Sequence, residues 1–573
     1  MSPTEGDFAL ACMSVLVEEL ASSGLTDACV SPGSRSTPLA LALHRNRDVR
    51  VHVHLDERAS AFFALGLAKA SGRPVALACT SGTAVAEYLP AVVEASMSRV
   101  PLLVLTADRP AELRNVGANQ TIDQPGIYGR SVRHAVEAEV PGDRPEAAYW
   151  RGLATSAWWH AVTHPPQPVH VNLPFREPLV PTGETVTLDD RGSARSGMHA
   201  APPYATSEGA FALGEIVGAH ERGVIVAGSL RQAAPHVLDL SRAAAWPLLA
   251  EPTSGLRVPG ALAAPTALLA HERFAAAHTP DIALQFGAAP TSRAGLSLVG
   301  ASRRLVIVDP DDLVADPHRR AETRMVVGPD PLAAAVAARL EPRAPTAWHR
   351  AWLDADAAVR RAVDEILDGW IEPFEGRIAR DLSAALPGDA TLVVGSSMPV
   401  RDLDLFMAPR EGLRVLANRG ASGIDGFVST ILGVGAAGGP TVGLLGDLTL
   451  LHDVGSLLWS ARRDLDAVLV VLSNGGGTIF SFLPQRELPE LEELFTTPHG
   501  LDLGAVCAAA GAGHTRVDRA DALVPSVERA GAAGGVHVVE VTIDAELDHR
   551  RHAEVRAAVA IALEHHSEAP SAG

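Results

Sequence analysis

Gly446-Asp447-Leu448-Thr449-Leu450-Leu451-His452-Asp453, followed by Asn474-Gly475-Gly476-Gly477, is the pair of segments on which the reading of this 573-residue chain turns. Each follows an apolar run, at 440–445 and 467–472, of the kind that forms a parallel strand buried on both faces. Asp447 and Asn474 therefore stand at the C-terminal ends of two strands, where open α/β sheets hold their ligands. They are 27 residues apart, about one strand-helix-strand crossover. Two oxygen donors on neighbouring strand ends, with a flexible glycine run beside them, suit a hard cation such as Mg²⁺, with diphosphate oxygens and water completing its shell. Two ordinary strand-end turns are the plain alternative. Three successive glycines argue against it, because they weaken any regular element unless the backbone must approach something closely.

Outward from this pair, strand runs and helical periodicity alternate along the chain. Residues 7–23 place Phe8, Cys12, Val15, Leu16 and Leu20 on one helical face. Strands are expected at 28–30, 51–55, 74–79, 100–106 and 169–174, then at 223–227, 247–250, 282–286 and 305–308. A third set is expected at 391–394, 413–416, 440–445, 467–472 and 536–541, with helices at 148–163 and 348–370 among the connections. This alternation predicts an α/β fold of three doubly wound parallel-sheet units, at 1–185, 205–345 and 346–573. The Pro-, Gly- and Ser-rich stretch 181–209 reads as a linker, and the tail from His565 as a frayed end.

Bulk properties exclude several classes. A formal charge of −19 argues against nucleic acid or an anionic membrane as a partner. An anionic substrate must then be drawn in by a local cluster of arginines. The N-terminus lacks a basic segment and a long apolar run, so neither a signal peptide nor membrane insertion is expected. Cys12, Cys29, Cys79 and Cys507 lie in apolar surroundings without metal-ligand spacing and read as small core residues of a reducing cytoplasm. Lys69 is the only lysine. It lies in a helical run, which excludes a P-loop and a Schiff-base or pyridoxal phosphate site.

Several strand ends carry chemistry. Ser31-Pro32-Gly33-Ser34-Arg35-Ser36-Thr37-Pro38 couples a strand to a helix start, an arrangement that offers backbone N–H groups to an anion, and Arg35 can add a two-pronged clamp. A capped helix start with a solvated Arg35 is the alternative. Asp56-Glu57 follows a strand in the same way, and Glu57 is either an acid at a helix start or a functional carboxyl on the ligand face. Thr106-Ala107-Asp108-Arg109-Pro110 ends the next-but-one strand, followed by the amide-rich Gly117-Ala118-Asn119-Gln120. Pro290-Thr291-Ser292-Arg293 follows a strand of the central unit. Gly228-Ser229-Leu230 begins no full dinucleotide fingerprint, so nucleotide binding there is not expected. In the third unit come Gly395-Ser396-Ser397-Met398-Pro399-Val400-Arg401 and Asn418-Arg419-Gly420-Ala421-Ser422-Gly423-Ile424-Asp425-Gly426.

The Asp447/Asn474 pair resembles the diphosphate-anchoring motif of thiamine diphosphate (ThDP) enzymes. Leu448 stands where that superfamily often has Gly, and Ser473 where it often has Asn. The strings around Ser34-Arg35, Asp108-Arg109, Asn119-Gln120 and Asn418–Asp425 together are similar to one member, the 2-succinyl-5-enolpyruvyl-6-hydroxy-3-cyclohexene-1-carboxylate synthase (MenD) family of menaquinone biosynthesis. The resemblance spans the chain. It implies pyrimidine-binding and diphosphate-binding units at the two ends, with a vestigial nucleotide-type unit between them.

The family decarboxylates 2-oxoglutarate and adds the succinyl unit to isochorismate. The resemblance implies that Asp447, Asn474 and the carbonyl of Gly476 hold Mg²⁺ or Mn²⁺. Gly446, Leu448, Gly477, Thr478, Ile479, Ser397 and the apolar wedge Ile424 then surround the cofactor. Glu57 would hydrogen-bond the aminopyrimidine ring and promote its imino tautomer. Ser397, Arg401 and Arg419 would hold the succinyl carboxylate, while Ser34, Arg35, Arg109, Asn119, Gln120 and Arg293 surround isochorismate. Catalysis is implied for Glu57, Gln120, Arg401 and Arg419. The superfamily also implies a homo-oligomer, dimer or tetramer, with Glu57 facing Asp447 of a partner chain. Another ThDP carboligase or decarboxylase, similar to acetolactate synthase, and a non-catalytic ThDP-binding sensor are the competing readings.

Overall fold

Three parallel sheets stand side by side in a computed structural model that describes residues 2–143, 146–188, 207–311, 315–460 and 465–568. The first holds β1 (Asp27–Val30), β2 (Arg50–Val53), β3 (Val75–Cys79), β4 (Leu102–Asp108), β5 (His134–Glu137) and β6 (Val169–Pro174) in the order β2-β1-β3-β4-β6-β5. The second holds β7 (Gly223–Ala227), β8 (Leu248–Ala250), β9 (Ile282–Phe286), β10 (Arg304–Val308) and β11 (Thr323–Met325) in the order β11-β10-β9-β7-β8. The third holds β12 (Thr391–Val394), β13 (Arg414–Leu416), β14 (Thr441–Gly446), β15 (Ala467–Ser473), β16 (Gly513–Val517) and β17 (Val536–Thr542) in the order β13-β12-β14-β15-β17-β16. The first and third sheets thus share one connectivity. The expected α/β class is what the structure has.

Three strands were not expected from the sequence: β5, β11 and β16. Each lies at one edge of its sheet; the opposite edges are the expected β2, β8 and β13. An outer strand buries one side only, and these are partly exposed along their length. They lack the continuous apolar run that marks β3, β4 and β15, which are buried almost throughout. At the C-terminus the helix Ala545–Glu568 buries Val555, Val559 and Leu563 and takes in the first residues, 565–568, of the expected frayed tail. Most of the expected linker, 189–206, lies outside the described residues, as do 569–573.

The first and third units share a core. The helix Glu57–Ser71 starts where Asp56 accepts a hydrogen bond from the Ala59 N–H at 3.1 Å, and it stops at Gly72, whose φ of 70° ends the helix in the left-handed region. It packs along the helix Phe427–Ala436, and Phe62 and Phe63 join Phe427, Val428 and Ile431 in one apolar cluster. Small residues permit the close approach. A β-carbon on Gly66 would lie 2.1 Å from the Thr430 carbonyl oxygen, and one on Gly433 2.1 Å from that of Phe63. Both obstacles are backbone. Gly433→Leu is therefore expected to lower the unfolding free energy by about 1–3 kcal/mol or more, the cost of overpacking. Denaturant unfolding reads this, and an unchanged midpoint would mean that the two helices separate without cost.

The helix Ala347–Asp368 joins the central and third units. Its Trp348, Trp352, Val359, Val363 and Leu367 share one apolar cluster with Val224, Leu305 and Ile307 of the central unit and Phe374 and Phe406 of the third.

Candidate active site

Asp447 is the first residue of the helix Asp447–His452, directly after β14, and its side chain is buried. Its Oδ1 accepts the Leu448 N–H at 2.6 Å and its Oδ2 the Gly475 N–H at 2.7 Å. Burial pushes its carboxyl above the ordinary range, although these two N–H groups and His499 oppose the shift. His499 Nε2 lies 3.3 Å from Oδ2. Asn474 sits just beyond β15. Its Nδ2 donates to Glu375 Oε1 at 2.7 Å and to Thr478 Oγ1 at 2.8 Å, which turns Oδ1 towards the glycine run, where it accepts the Gly476 N–H at 3.2 Å.

The glycines are required here. Gly475 and Gly476 have φ of 83° and 152°, and a β-carbon on Gly476 would stand 2.2 Å from the Thr496 carbonyl oxygen. A carboxylate, an amide oxygen and main-chain oxygens form a hard donor set, so these residues fit a divalent cation bound to diphosphate. Gly476→Ala is expected to weaken cation-dependent ThDP binding at least tenfold in a folded protein. Titration of tryptophan fluorescence with ThDP and Mg²⁺ reads this, and unchanged affinity would remove the loop from the site.

A second group gathers three arginines from two units. Arg401 lies on the helix Met398–Phe406, Arg419 on the loop after β13, and Arg293 opens the helix Arg293–Ala301 of the central unit. Partial burial lowers the Arg401 pKa first, and the charges of Arg419 and Arg293 lower it further, so the three lie within electrostatic reach. Arg401 Nη1 donates to the Ser397 carbonyl. The Arg293 and Arg419 guanidinium groups have no hydrogen-bond partner among the described residues. Ser397 caps the Arg401 helix with φ 72°, a conformation that non-glycine residues rarely adopt and that concentrates at functional sites. Glu251, just after β8, bonds the N–H and hydroxyl of Thr291 and so ties down the turn that presents Arg293. Burial and the neighbouring Asp404 push its carboxyl up to about 7.

The third group belongs to the first unit. Arg109, at the end of β4, donates to Ser81 Oγ and to the Gln120 carbonyl at 2.8 Å. Partial burial and then the Arg35 charge lower its pKa. Arg35 is buried, donating to the Phe175 carbonyl at 2.8 Å and to Glu177 Oε1 at 2.7 Å. This replaces the solvated arginine of the alternative reading. Gln120 has φ 56°, and its Nε2 donates to the Ser81 carbonyl at 2.9 Å. Ser34 and Asn119 are exposed beside them. Glu57 is half-buried at the first position of its helix, where burial, Asp56 and Glu87 raise its pKa.

Within one chain the groups are not bonded to one another, although Arg58, next to Glu57, donates to the His452 carbonyl at 3.1 Å. Ser34, Arg35, Glu57, Arg109, Asn119 and Gln120 share no hydrogen bond or ion pair with the arginines of the second group or with the cation loop, among the described residues. Arg293, expected around isochorismate with Arg35 and Arg109, lies within electrostatic reach of Arg401. Ile424 and Ile479 are half-buried, one in the loop before Phe427–Ala436 and the other in the turn Thr478–Phe482. Gly446 ends β14, and Gly477 donates to the Thr496 carbonyl at 2.8 Å. A cavity of about 1160 Å³ lies elsewhere, at the N-terminal ends of β14 and β15, and is lined by none of these residues. Sequence reasoning missed Glu375 and His499, which only the fold brings to Asn474 and Asp447.

Comparison with known proteins agrees with this layout. Three family models match in series: the N-terminal TPP binding domain of thiamine pyrophosphate enzymes over residues 11–127, their middle domain over 216–394 and their C-terminal TPP binding domain over 403–541. The chain is 45% identical to the 2-succinyl-5-enolpyruvyl-6-hydroxy-3-cyclohexene-1-carboxylate synthase of Thermobifida fusca, covering 96% of this chain and 98% of that one. It belongs to that synthase family. Synthases of the same name from Geobacillus kaustophilus, at 42% identity, and Halobacterium salinarum, at 41%, are matched over 94% and 93% of this chain and 95% of each relative. As a family member the chain is a ThDP-dependent transferase that forms C–C bonds and works with a divalent cation. Asp447, Asn474 and the glycine run after it lie inside the matched C-terminal TPP domain, and Glu57 inside the N-terminal one.

Proposed function

We propose that this synthase decarboxylates 2-oxoglutarate and adds the succinyl unit to isochorismate by conjugate addition, in menaquinone biosynthesis. The observation that carries the substrate assignment is the convergence of Arg293, Arg401 and Arg419, two of them with no hydrogen-bond partner among the described residues, in a chain of net charge −19. Three like charges kept close together are stabilised by an anionic ligand, and both substrates are dicarboxylates. An acetolactate synthase-like acceptor site would need an apolar pocket instead.

Asp447, Asn474 and the Gly476 carbonyl would hold Mg²⁺ or Mn²⁺, and Gly446, Leu448, Gly477, Thr478, Ile479 and Ile424 would line the cofactor. Bound ThDP supplies the electron sink that lets a 2-oxo acid lose CO₂ and its carbonyl carbon act as a nucleophile. Ser397, Arg401 and Arg419 orient the carboxylate of the succinyl unit, and Arg293 extends that group towards the acceptor. Arg35, Arg109, Asn119, Gln120 and Ser34 orient isochorismate. Glu57 exchanges a proton with the aminopyrimidine ring. We take the units as 1–185, 205–345 and 346–573.

The site is read as shared between subunits of a homodimer or tetramer. The reading follows the superfamily, and it is supported by Glu57 making no hydrogen bond or ion pair with Asp447 or Asn474 among the described residues. We place the protein in the cytoplasm, whose reducing conditions suit its four buried cysteines. Among the described residues no helix is long and apolar enough to cross a membrane.

Isochorismate consumption, followed by its absorbance with 2-oxoglutarate, ThDP and Mg²⁺ each omitted in turn, tests the reaction. Consumption that needs all three is expected. Release of CO₂ without isochorismate loss would leave the acceptor wrong, and no reaction would favour a ThDP sensor.

A further inference from the structure

The single lysine of the chain plays no part in the reaction proposed above, yet its side chain is largely withdrawn from solvent, at 9% exposure. Lys69, in the last turn of the helix Glu57–Ser71, pairs with Glu94 of the helix Leu89–Ser98 at 3.2 Å, and their side chains are 9% and 4% exposed. Both belong to the first unit. Nearly every other bond they make goes to one short loop of the third unit. Lys69 Nζ donates to the Ala417 carbonyl at 2.9 Å and to Asn418 Oδ1 at 2.8 Å. Glu94 accepts the Gly420 N–H at 3.0 Å on Oε1 and the Ala421 N–H at 2.6 Å on Oε2. Ser98 completes its shell at 2.6 Å. Asn418 Nδ2 in turn donates to Thr430 Oγ1 at 3.0 Å.

The loop is therefore gripped on both sides of one residue, Arg419, whose own guanidinium has no hydrogen-bond partner among the described residues. The fit is close. A β-carbon on Gly420 would stand 2.6 Å from Ser98 Oγ and 2.8 Å from the Glu94 carbonyl oxygen. Burial lowers the Lys69 pKa. For Glu94, burial alone would raise the pKa, but the Lys69 charge, Ser98 and the two backbone N–H groups outweigh it and hold the carboxyl low.

We propose that Lys69 and Glu94 are positioning residues for substrate binding: the buried pair presents Arg419 to the 2-oxoglutarate carboxylate by clamping residues 417–421 between the two cofactor-binding units. A plain interdomain staple would have no reason to spend its donors and acceptors on the four residues that flank one unpaired arginine. A buried ion pair adds little net stability over an apolar pair of similar volume, but it demands one geometry of whatever completes its hydrogen bonds. Removing it should therefore be felt at Arg419 more than in overall stability. The inference rests on the reading of Arg419 given above.

Lys69→Met leaves Glu94 buried without its cation, so the charge-neutral pair Lys69→Met/Glu94→Gln is tested beside it. Two measurements are made on the full-length protein with ThDP and Mg²⁺. Hydrogen exchange reads the Gly420 and Ala421 amides, which should lose protection at least tenfold in the double variant while the core strands β14 and β15 keep theirs. Steady-state kinetics should show KM for 2-oxoglutarate raised at least tenfold, with KM for isochorismate within threefold of wild type. Unchanged protection at 417–421, or a rise shared equally by the two substrates, overturns the inference. Wild-type protein that does not use 2-oxoglutarate defeats the functional reading instead, and the exchange result then still decides whether the clamp exists.

Discussion

Glu57→Gln is expected to cut CO₂ release from 2-oxoglutarate by about 10²–10⁴-fold, the usual contribution of a positioned acid-base group. The fold should tolerate the change. The helix is capped by Asp56, whose Oδ1 holds the Ala59 N–H, and not by Glu57. The carboxyl sits half-buried, and burial together with Asp56 and Glu87 raises its pKa, so that it keeps a proton more readily than a surface glutamate. Gln preserves shape and one donor but cannot give up or take a proton. Cofactor affinity should therefore stay close to wild type while turnover collapses, and fluorescence titration with ThDP separates the two. CO₂ release within threefold of wild type would remove Glu57 from the chemistry.

Arg401→Ala is expected to lower kcat/KM for 2-oxoglutarate by about 2–5 kcal/mol, the cost of unpairing a charge from a desolvated partner. Arg401 is held by the Ser397 carbonyl and shares its surroundings with Arg293 and Arg419. Removing it relieves a repulsion in the free enzyme and loses an attraction in the complex, and both changes weaken the anion. Arg401→Lys should recover only part, since an ammonium restores the charge but not the planar fork. Use of isochorismate should be affected less, because Arg35 and Arg109 lie in the other group. An unchanged specificity constant for 2-oxoglutarate in the Ala variant would place its carboxylate elsewhere.

These two residues also show how differently parts of the site could be read in advance. Glu57 and Asp447 announce themselves locally, as acids at the junction of a buried strand and a helix. Such a junction is visible because strand burial leaves an apolar run and the helix start leaves a periodicity. Arg293 could be located on its strand-end turn, but its role came only from the resemblance, because its neighbours lie on two other elements of another unit. Glu375 gave no sign at all. It looks like any acid in the first turn of a helix, and only folding brings it 2.7 Å from Asn474. Burial and the nearby Asp548 push its carboxyl up to about 8.

By itself the sequence determined the parallel-sheet class, the inner strands with one edge strand of each sheet, the glycine run after Asn474, and the arginine-rich strand ends. These are properties of a few consecutive residues, whose burial and backbone geometry are imposed locally. The tertiary structure alone decided the outer strands β5, β11 and β16, which carry a weak apolar signal because one side faces solvent. It also decided which arginines stand together, and it put the only lysine to use. Lys69 lies 348 residues from the Ala417 carbonyl that it holds. A contact of that span leaves no periodicity or spacing in the chain, because it exists only once two helices, meeting at Gly66 and Gly433, have brought two units within hydrogen-bonding distance.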